Sequence, residues 1–384
     1  MTVLNKLPAS GQWAIFSRRS FPYSPNTSPE ATHLFPATDS ISAVSLTAPT
    51  RSGQELPLLS FVSQEEGRPQ VDNLLREQFS PDGHRLVLSV TVGHGPFARL
   101  GLVIVDLVAG TVEALTTEPR YHDSTPAWSP TGDQIAFVRT SVNTGIMGDE
   151  GIWVVNADGT NLRWILQPSP TGGRDGFVLH SWNGDGTQIG FRGSNGPALL
   201  YRLVAVSNSW LRGLGGKDVG QRPMADWRVG TPAFVGAFSD EPPGTRSYII
   251  TGDDQLGTVT RTIVTGAANP NLRFDQARWR PGSNDILYVS ELLEGDQTSQ
   301  KRTYTVYLTD AMGRTPRAIK KVEFQRTFAA WTADGRDVVV LSGLGVGGML
   351  LMIAADGSNE RVIQGFGGAP EAQPEWIDLV VLSL

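Results

Sequence analysis

Phe79-Ser-Pro-Asp-Gly-His-Arg-Leu-Val-Leu88 is the stretch that decides the fold, because versions of it recur along the whole chain. It predicts an aromatic residue at the end of one strand, a tight turn favoured by Pro-Asp-Gly, and an apolar strand that returns. Four clear copies follow, and each begins with tryptophan. We call the aromatic residue that opens each copy its anchor; these anchors are Phe79, Trp128, Trp182, Trp279 and Trp331.

The spacing of the anchors predicts one more copy. Consecutive clear anchors are 49, 54, 97 and 52 residues apart, and the third separation is nearly twice the others. Trp227 lies inside that long interval, 45 residues after Trp182 and 52 before Trp279. Its turn sequence is eroded, so this copy is inferred from the period more than from the motif.

Each repeat has room for four antiparallel strands. After the Trp128 copy, Gly151-Ile-Trp-Val-Val-Asn156 predicts a third strand and Leu162-Arg-Trp-Ile-Leu166 a fourth, with an Asp-Gly turn between them. Four strands in a unit of about 50 residues are typical of a β-propeller blade. An aromatic residue at a fixed place in every blade is expected to pack between neighbouring blades, not to stack on a carbohydrate.

The two ends of the chain together predict one further blade. Residues 8–16 resemble a turn and a second strand, and 41–46 and 55–59 resemble the third and fourth strands. At the other end, Trp376 repeats the anchor, and residues 377–384 are largely apolar. An exposed apolar edge strand would aggregate, so pairing of the two ends would close the ring.

The sequence therefore predicts an all-β chain that forms a single propeller domain over residues 1–384, with seven four-stranded blades. A six-bladed ring with an irregular N-terminal cap is the alternative. The predicted blades are 1–70 with 371–384, 71–120, 121–175, 176–222, 223–272, 273–325 and 326–370.

Composition excludes several classes of function. The 384 residues contain no cysteine, which removes disulfides, thiolate zinc sites and cysteine nucleophiles. The net charge is −6 and no run of five basic residues occurs, so a nucleic-acid partner is not expected. No stretch approaches the roughly 20 apolar residues that a membrane span needs. The start of the chain lacks the apolar segment of a signal peptide, and a proline-rich segment follows Ser17-Arg-Arg-Ser-Phe21 where a twin-arginine signal would be apolar.

These motifs resemble those of the TolB-like propeller family, whose signature is an aromatic-Ser-Pro-Asp-Gly turn before an apolar strand. Phe79–Gly83 matches the signature in full, Trp128–Gly132 in all but the aspartate, and Trp331–Gly335 in the aromatic residue and Asp-Gly. The resemblance implies a propeller over almost the whole chain. Such propellers serve as interaction modules, as gates on peptidases and as scaffolds of carbohydrate lyases. The resemblance also favours a location in the bacterial periplasm or outside the cell.

Catalytic chemistry finds little support in the sequence. No Gly-x-Ser-x-Gly elbow occurs, and no helical region could form an α/β-hydrolase domain. Metal-binding lyases of related propeller form use a histidine cluster in the channel; here that would require His122 and His180 with Asp123 or Asp175. Separate, solvated histidines are the alternative. We therefore predict neither a cofactor nor a metal.

The loops that lead into the inner strands carry the candidate binding residues. In four blades an arginine has an aspartate nearby, and in a fifth an arginine occurs alone. One hypothesis is a polar ring at one rim of the channel that grips a peptide segment or chain terminus, since arginine donates paired hydrogen bonds to a carboxylate. The other is that the aspartates satisfy turn amides. The residues are Arg120, His122, Asp123, Arg174, Asp175, Arg222, Asp226, Arg273, Asp275 and Arg326.

The function predicted from the sequence is a non-catalytic propeller that binds or scaffolds a protein or peptide partner, alone or as a subunit of a larger assembly. It uses one channel face and the long loops at 20–40, 141–150, 167–176 and 291–302. The alternative is a carbohydrate-active lyase or hydrolase with a channel site.

Elemental analysis of the purified protein distinguishes these two functions. We expect less than stoichiometric transition metal, because the predicted binding residues are arginines and dispersed carboxylates. One equivalent of bound metal per chain would contradict the binding function and favour the lyase.

Overall fold

The computed structural model describes residues 1–20, 38–47, 55–62, 75–92, 99–142, 151–167, 177–195, 198–209, 211–217, 225–239, 247–253, 261–265, 269, 271–295, 301–323, 326–342, 348–366 and 375–384. These residues form seven antiparallel sheets arranged as a seven-bladed β-propeller. Within them, no helix has the length and apolar character needed to cross a bilayer.

Within the described residues the strands follow one another along the chain, and a 3-10 helix, Arg76–Gln78, lies between β4 and β5. They are β1 Thr2–Val3, β2 Gln12–Ser20, β3 Thr38–Ser45, β4 Leu56–Val62, β5 Arg85–Val92, β6 Arg99–Asp106, β7 Thr111–Ala114, β8 Tyr121–Trp128, β9 Gln134–Ser141, β10 Gly151–Asn156, β11 Arg163–Leu166, β12 Val178–Trp182, β13 Gln188–Asn195, β14 Ala198–Ala205, β15 Leu211–Lys217, β16 Ala225–Trp227, β17 Ala233–Ser239, β18 Ser247–Asp253, β19 Arg261–Thr265, β20 Leu272–Trp279, β21 Ile286–Glu294, β22 Lys301–Thr309, β23 Arg317–Glu323, β24 Thr327–Trp331, β25 Asp337–Ser342, β26 Gly348–Ala354, β27 Arg361–Phe366 and β28 Glu375–Ser383.

Each blade is a meander that runs outward from the central channel. From the channel outward, the first blade contains β28, β2, β3, β4 and β1, and the second contains β5, β6 and β7. The third to seventh blades contain four consecutive strands each, beginning at β8, β12, β16, β20 and β24. The inner strands all run in one direction. We call the channel end where they begin the mouth and the end where they reach the anchors the floor.

Pairing of the two chain ends closes the ring, as the sequence predicted. β28 pairs with β2 from Gln12–Ser383 to Arg19–Glu375, and β2 pairs in turn with β3. The paired residues Ile15 and Val380 are both buried. The arginine pair that resembles an export signal lies within β2. The first blade gains a fifth strand, because β1 pairs with β4.

The second blade departs from the four-stranded pattern. The 3-10 helix stands where its inner strand would lie, and Phe79 makes a single bridge to Leu86. The side chains of this segment bind its own backbone: Gln78 Oε1 accepts from the Leu75 amide at 2.7 Å, and the Arg76 guanidinium donates to the Phe79 and Ser80 carbonyls at 3.4 Å. These local bonds take the place of strand pairing.

The anchors form the contacts between blades. Trp128 is buried against Val87, Leu102 and Ile104 of the second blade, and Trp331 packs in the same way on the sixth. Phe79 packs on the first blade next to Leu382. Each anchor thus covers the preceding blade, which confirms that the aromatic repeat is core.

The Asp-Gly segments are tight turns, and they line one face of the ring. Asp334 Oδ1 accepts from the Arg336 amide at 3.1 Å, and Gly335 has a φ of +66°. A β-carbon at Gly335 would lie 2.8 Å from the carbonyl oxygen of Pro281 in the sixth blade, so this position requires glycine. The guanidinium of Arg280 stacks on Trp331 and donates to the Gly335 carbonyl at 2.7 Å, which joins the same two blades.

Truncation of an anchor should destabilise the whole ring. We expect Trp128→Ala to lower the free energy of unfolding by about 3–5 kcal/mol, because the cavity lies between two blades. The measurement is equilibrium denaturation followed by far-UV circular dichroism. Val229→Ala, at a side chain that is 76% exposed, is the control and should change the free energy by less than about 0.5 kcal/mol. Equal effects of the two substitutions would contradict the role of the anchor.

Candidate functional site

Three exposed arginines lie at the mouth, at equivalent places in three blades. Arg120 directly precedes β8, Arg326 directly precedes β24, and Arg273 is the second residue of β20. The Arg120 side chain is 76% exposed and its Nε lies 3.0 Å from Glu118 Oε1. The Arg326 guanidinium lies over the ring of Phe328. The third, sixth and seventh blades therefore each present a guanidinium at the same end of the channel.

Asp123 does not take part in this surface, although it is adjacent to Arg120 and His122 in sequence. It is buried, and its two carboxylate oxygens accept from Nε and Nη2 of Arg139 at 2.7 and 2.8 Å. Arg139 lies on β9 directly opposite Asp123, and it too is buried. The partner of Asp123 is therefore Arg139 on the neighbouring strand, and the carboxylate lies in the interior of the third blade.

Aromatic rings enclose that ion pair. The Arg139 guanidinium lies 4.9 Å from the centre of the Tyr121 ring and 5.1 Å from that of Trp153. Trp153 in turn stacks on Trp164 with ring centres 5.5 Å apart. Both tryptophans lie away from the anchor position, and this stack accounts for them. The signal in the sequence was an arginine directly after the apolar residues 135–138 of β9, which becomes informative only once the register with β8 is known.

His122 is half-buried and already holds a hydrogen bond. Its Nδ1 accepts from the Leu100 amide of the second blade at 3.0 Å. Burial lowers the pKa of His122. The charge of Arg99 lowers this pKa further and the charge of Asp123 raises it, and because the net shift is downward, the neutral ring is favoured at neutral pH. His180 lies in β12, and its side chain is outside the described part of the chain. In the described ranges, no three His, Asp or Glu side chains are grouped as a metal site would require.

Asp275 serves the backbone of its own strand. Its Oδ1 accepts from the Gln276 amide at 2.8 Å, where Gln276 has a φ of +57° and forms a bulge in β20. The Gln276 side chain continues to the seventh blade, since its amide donates to the Thr327 carbonyl and accepts from the Ala329 amide. This is the turn-satisfying role that the sequence allowed for the aspartates.

Asp226 lies at the floor, not at the mouth, because it directly precedes the anchor Trp227. Its Oδ2 accepts from the Trp279 amide at 2.7 Å, and its Oδ1 lies 3.9 Å from Nη1 of Arg278. The same Arg278 nitrogen lies 3.7 Å from Glu77 Oε1. The second, fifth and sixth blades thus meet in one group of charges, which we call the floor cluster: Arg76, Glu77, Asp226 and Arg278.

Burial disfavours the charged forms of two residues of the floor cluster, Asp226 and Arg76. Burial raises the pKa of Asp226 to about 6; Arg278, the Trp279 amide and Arg76 act against this, and Glu77 adds to it. Burial also lowers the pKa of Arg76. Among the described residues, no hydrogen-bond partner reaches the buried Glu77 Oε2. The sequence did not single out Arg76, Glu77 or Arg278, since nothing in the linear repeat brings them together.

Three of the predicted residues, Arg174, Asp175 and Arg222, lie outside the described residues, as do most of the four long loops. Of the others, the structure brings Arg120, Arg273 and Arg326 to one rim, places Asp226 at the opposite end and uses Asp123 and Asp275 internally.

The buried pair in the third blade gives a stability prediction. Arg139→Met should lower the free energy of unfolding by about 3–5 kcal/mol, because it leaves the Asp123 carboxylate buried without its cation. The double variant Asp123→Asn/Arg139→Met should recover a large part of that loss, and Arg120→Met, at an exposed arginine, should change little. Chemical denaturation of the three variants is the measurement. An Arg139→Met protein as stable as the double variant would contradict the pairing.

No family model and no curated protein sequence matches this chain. Solved structures do match. TolB from Acinetobacter baumannii is 14% identical over 78% of this chain and 62% of that chain, with a TM-score of 0.46. An oligogalacturonate lyase from Vibrio parahaemolyticus is 10% identical over 93% of this chain and 87% of that chain, with a TM-score of 0.54.

A prolyl endopeptidase structure is 13% identical over 94% of this chain, with a TM-score of 0.58, and this chain spans half of it. The chain likewise spans less than two thirds of the TolB structure. At these identities the lyase and the endopeptidase establish a shared architecture. A shared fold with a lyase and an endopeptidase does not establish the activity of this chain, so its function is inferred from its own residues.

Proposed function

We propose that this protein is a non-catalytic β-propeller that binds a protein or peptide partner through the mouth of its channel. The observation that carries the proposal is the exposure of Arg120, Arg273 and Arg326 at equivalent strand starts in three blades. Because all three lie at the mouth, a partner laid across the channel could meet them together although they are far apart in sequence.

The chemistry of these side chains favours a partner that carries carboxylates. A guanidinium presents several N–H donors in a planar fork, which matches the two oxygens of a carboxylate. The strands that hold the three arginines end at anchors that pack on the preceding blades, so little ordering of the backbone is needed on binding. An acidic segment or a chain terminus laid across the mouth would meet the three groups together.

The partners of the carboxylates near these arginines in sequence support the same proposal. Asp123 forms an ion pair with Arg139 inside the third blade, and Asp275 accepts a hydrogen bond from the Gln276 amide. Glu118 is paired with Arg120, but at a side chain that remains 39% exposed. An exposed pair of this kind is weak, and an incoming carboxylate can replace it.

Binding measurements with charge-reversed variants test the proposal. The partner is first captured with the tagged full-length protein from the source organism and identified, and its affinity is then measured for purified proteins. We expect Arg120→Glu/Arg273→Glu/Arg326→Glu to weaken binding about tenfold or more and to reduce its dependence on salt. Circular dichroism should show an unchanged fold.

The matched control carries three reversals on the opposite, turn-bearing face: Arg314→Glu/Arg336→Glu/Arg361→Glu. All three residues are exposed. This variant should bind as the wild type does. Equal loss of affinity in both triple variants would show a general charge effect, and full affinity in the mouth variant would contradict the proposal.

A further inference from the structure

The 3-10 helix of the second blade lies in the channel instead of lining it as a strand. Besides β5 of its own blade, it contacts β8 and β12, the inner strands of the third and fourth blades. Through Glu77 it reaches Arg278 of the sixth blade, and through Arg278 it reaches Asp226 of the fifth. Five of the seven blades therefore meet at this segment, Leu75–Phe79, which we call the plug.

The two arginines next to the plug have different partners: Arg76 binds backbone carbonyls, and Arg278 lies near two carboxylates. The Arg76 guanidinium is occupied by the carbonyls of Phe79, Ser80 and Pro81, each at 3.4 Å. The Arg278 guanidinium lies between the two carboxylates, at 3.7 Å from Glu77 and 3.9 Å from Asp226, and these separations exceed hydrogen-bond length. When both acids are ionised, they compete for Arg278 and repel each other.

We propose that the plug closes the floor of the channel and that its hold on the ring tightens when Asp226 becomes neutral. A neutral Asp226 no longer repels Glu77 and no longer competes for Arg278. The Arg278 guanidinium can then pair with Glu77 of the plug alone. The Asp226 carboxyl still has an oxygen to accept from the Trp279 amide. The device thus couples the acidity of the medium to the closure of the channel end that faces away from the mouth.

The elements packed around Asp226 supply few other charges. β17, which pairs with β16, has no ionisable residue, and β20 supplies Arg278. The plug supplies Arg76 and Glu77, and β12 carries His180, whose side chain is outside the described residues. Arg228, just beyond the anchor, is directed away and donates to Asn284 and Ser283 of the sixth blade.

The protonation equilibrium of Asp226 fits this geometry. Its pKa of about 6 in the folded protein lies above the value of 3.8 for a free side chain, so the folded protein binds the proton more tightly than the unfolded chain. The contribution of protonated Asp226 to the free energy of unfolding is therefore fully present below about pH 4, and it is lost as the pH rises through about 6.

Hydrogen exchange of the plug tests the proposal on the full-length protein. The Gln78 and Phe79 amides donate within the plug, so a peptide that spans 75–80 reports on its opening. We expect protection, corrected for intrinsic exchange, to be about tenfold higher at pH 5 than at pH 8, because the closed plug favours the neutral form of Asp226 and the open plug should favour it less. Asp226→Asn should show the higher protection at both pH values.

Two further variants keep the test decisive. Glu77→Gln removes the repulsion from the other side and should also reduce the difference between pH 5 and pH 8. Asp337→Asn, at an aspartate on β25 outside the floor cluster, should keep the full difference. Equal protection of the wild-type plug at both pH values, or an unchanged pH difference in Asp226→Asn, would overturn the proposal.

Discussion

The packing of an aromatic anchor on the preceding blade, described for the second to seventh blades, is the interaction on which the rest of the structure depends. It joins neighbouring sheets, and closure through β28 and β2 makes the apolar contacts between blades continuous around the ring. Because the inner strands are held in this way at their floor ends, their opposite ends and the loops before them are free to differ. Side chains at the mouth can vary without disturbing the frame that positions them.

Much of the fold could be predicted because the anchor and its turn are local signals repeated at a regular interval. Even the eroded copy at Trp227 and the split first blade followed from the period and from the apolar end of the chain. The 3-10 helix could not be predicted in this way, since it forms where Arg76 and Gln78 bind nearby backbone groups. That competition between local bonds and strand pairing leaves no trace in the repeat.

The candidate site was only partly predictable, and three aspartates show why. Asp123 and Asp275 lie five and four residues before their anchors, yet one is buried with Arg139 and the other binds its own strand. Asp226 lies directly before Trp227 and is at the floor. The differences depend on strand register, on the bulge at Gln276 and on residues that meet across the channel. Short-range patterns predicted which loops carry arginine and aspartate, and three-dimensional packing decides which of these side chains remain exposed.

We expect closure of the ring and packing of the anchors to make the seven blades one cooperative unit. Native-state hydrogen exchange of a Val380→Asp variant tests it most directly, because Val380 is buried at the closing strand pair beside Ile15. We expect protection to fall together in all seven blades, with β20–β23 affected as much as β2–β4. A loss of protection confined to the first blade and its two neighbours would show that the ring does not depend on its closure, and would contradict the account.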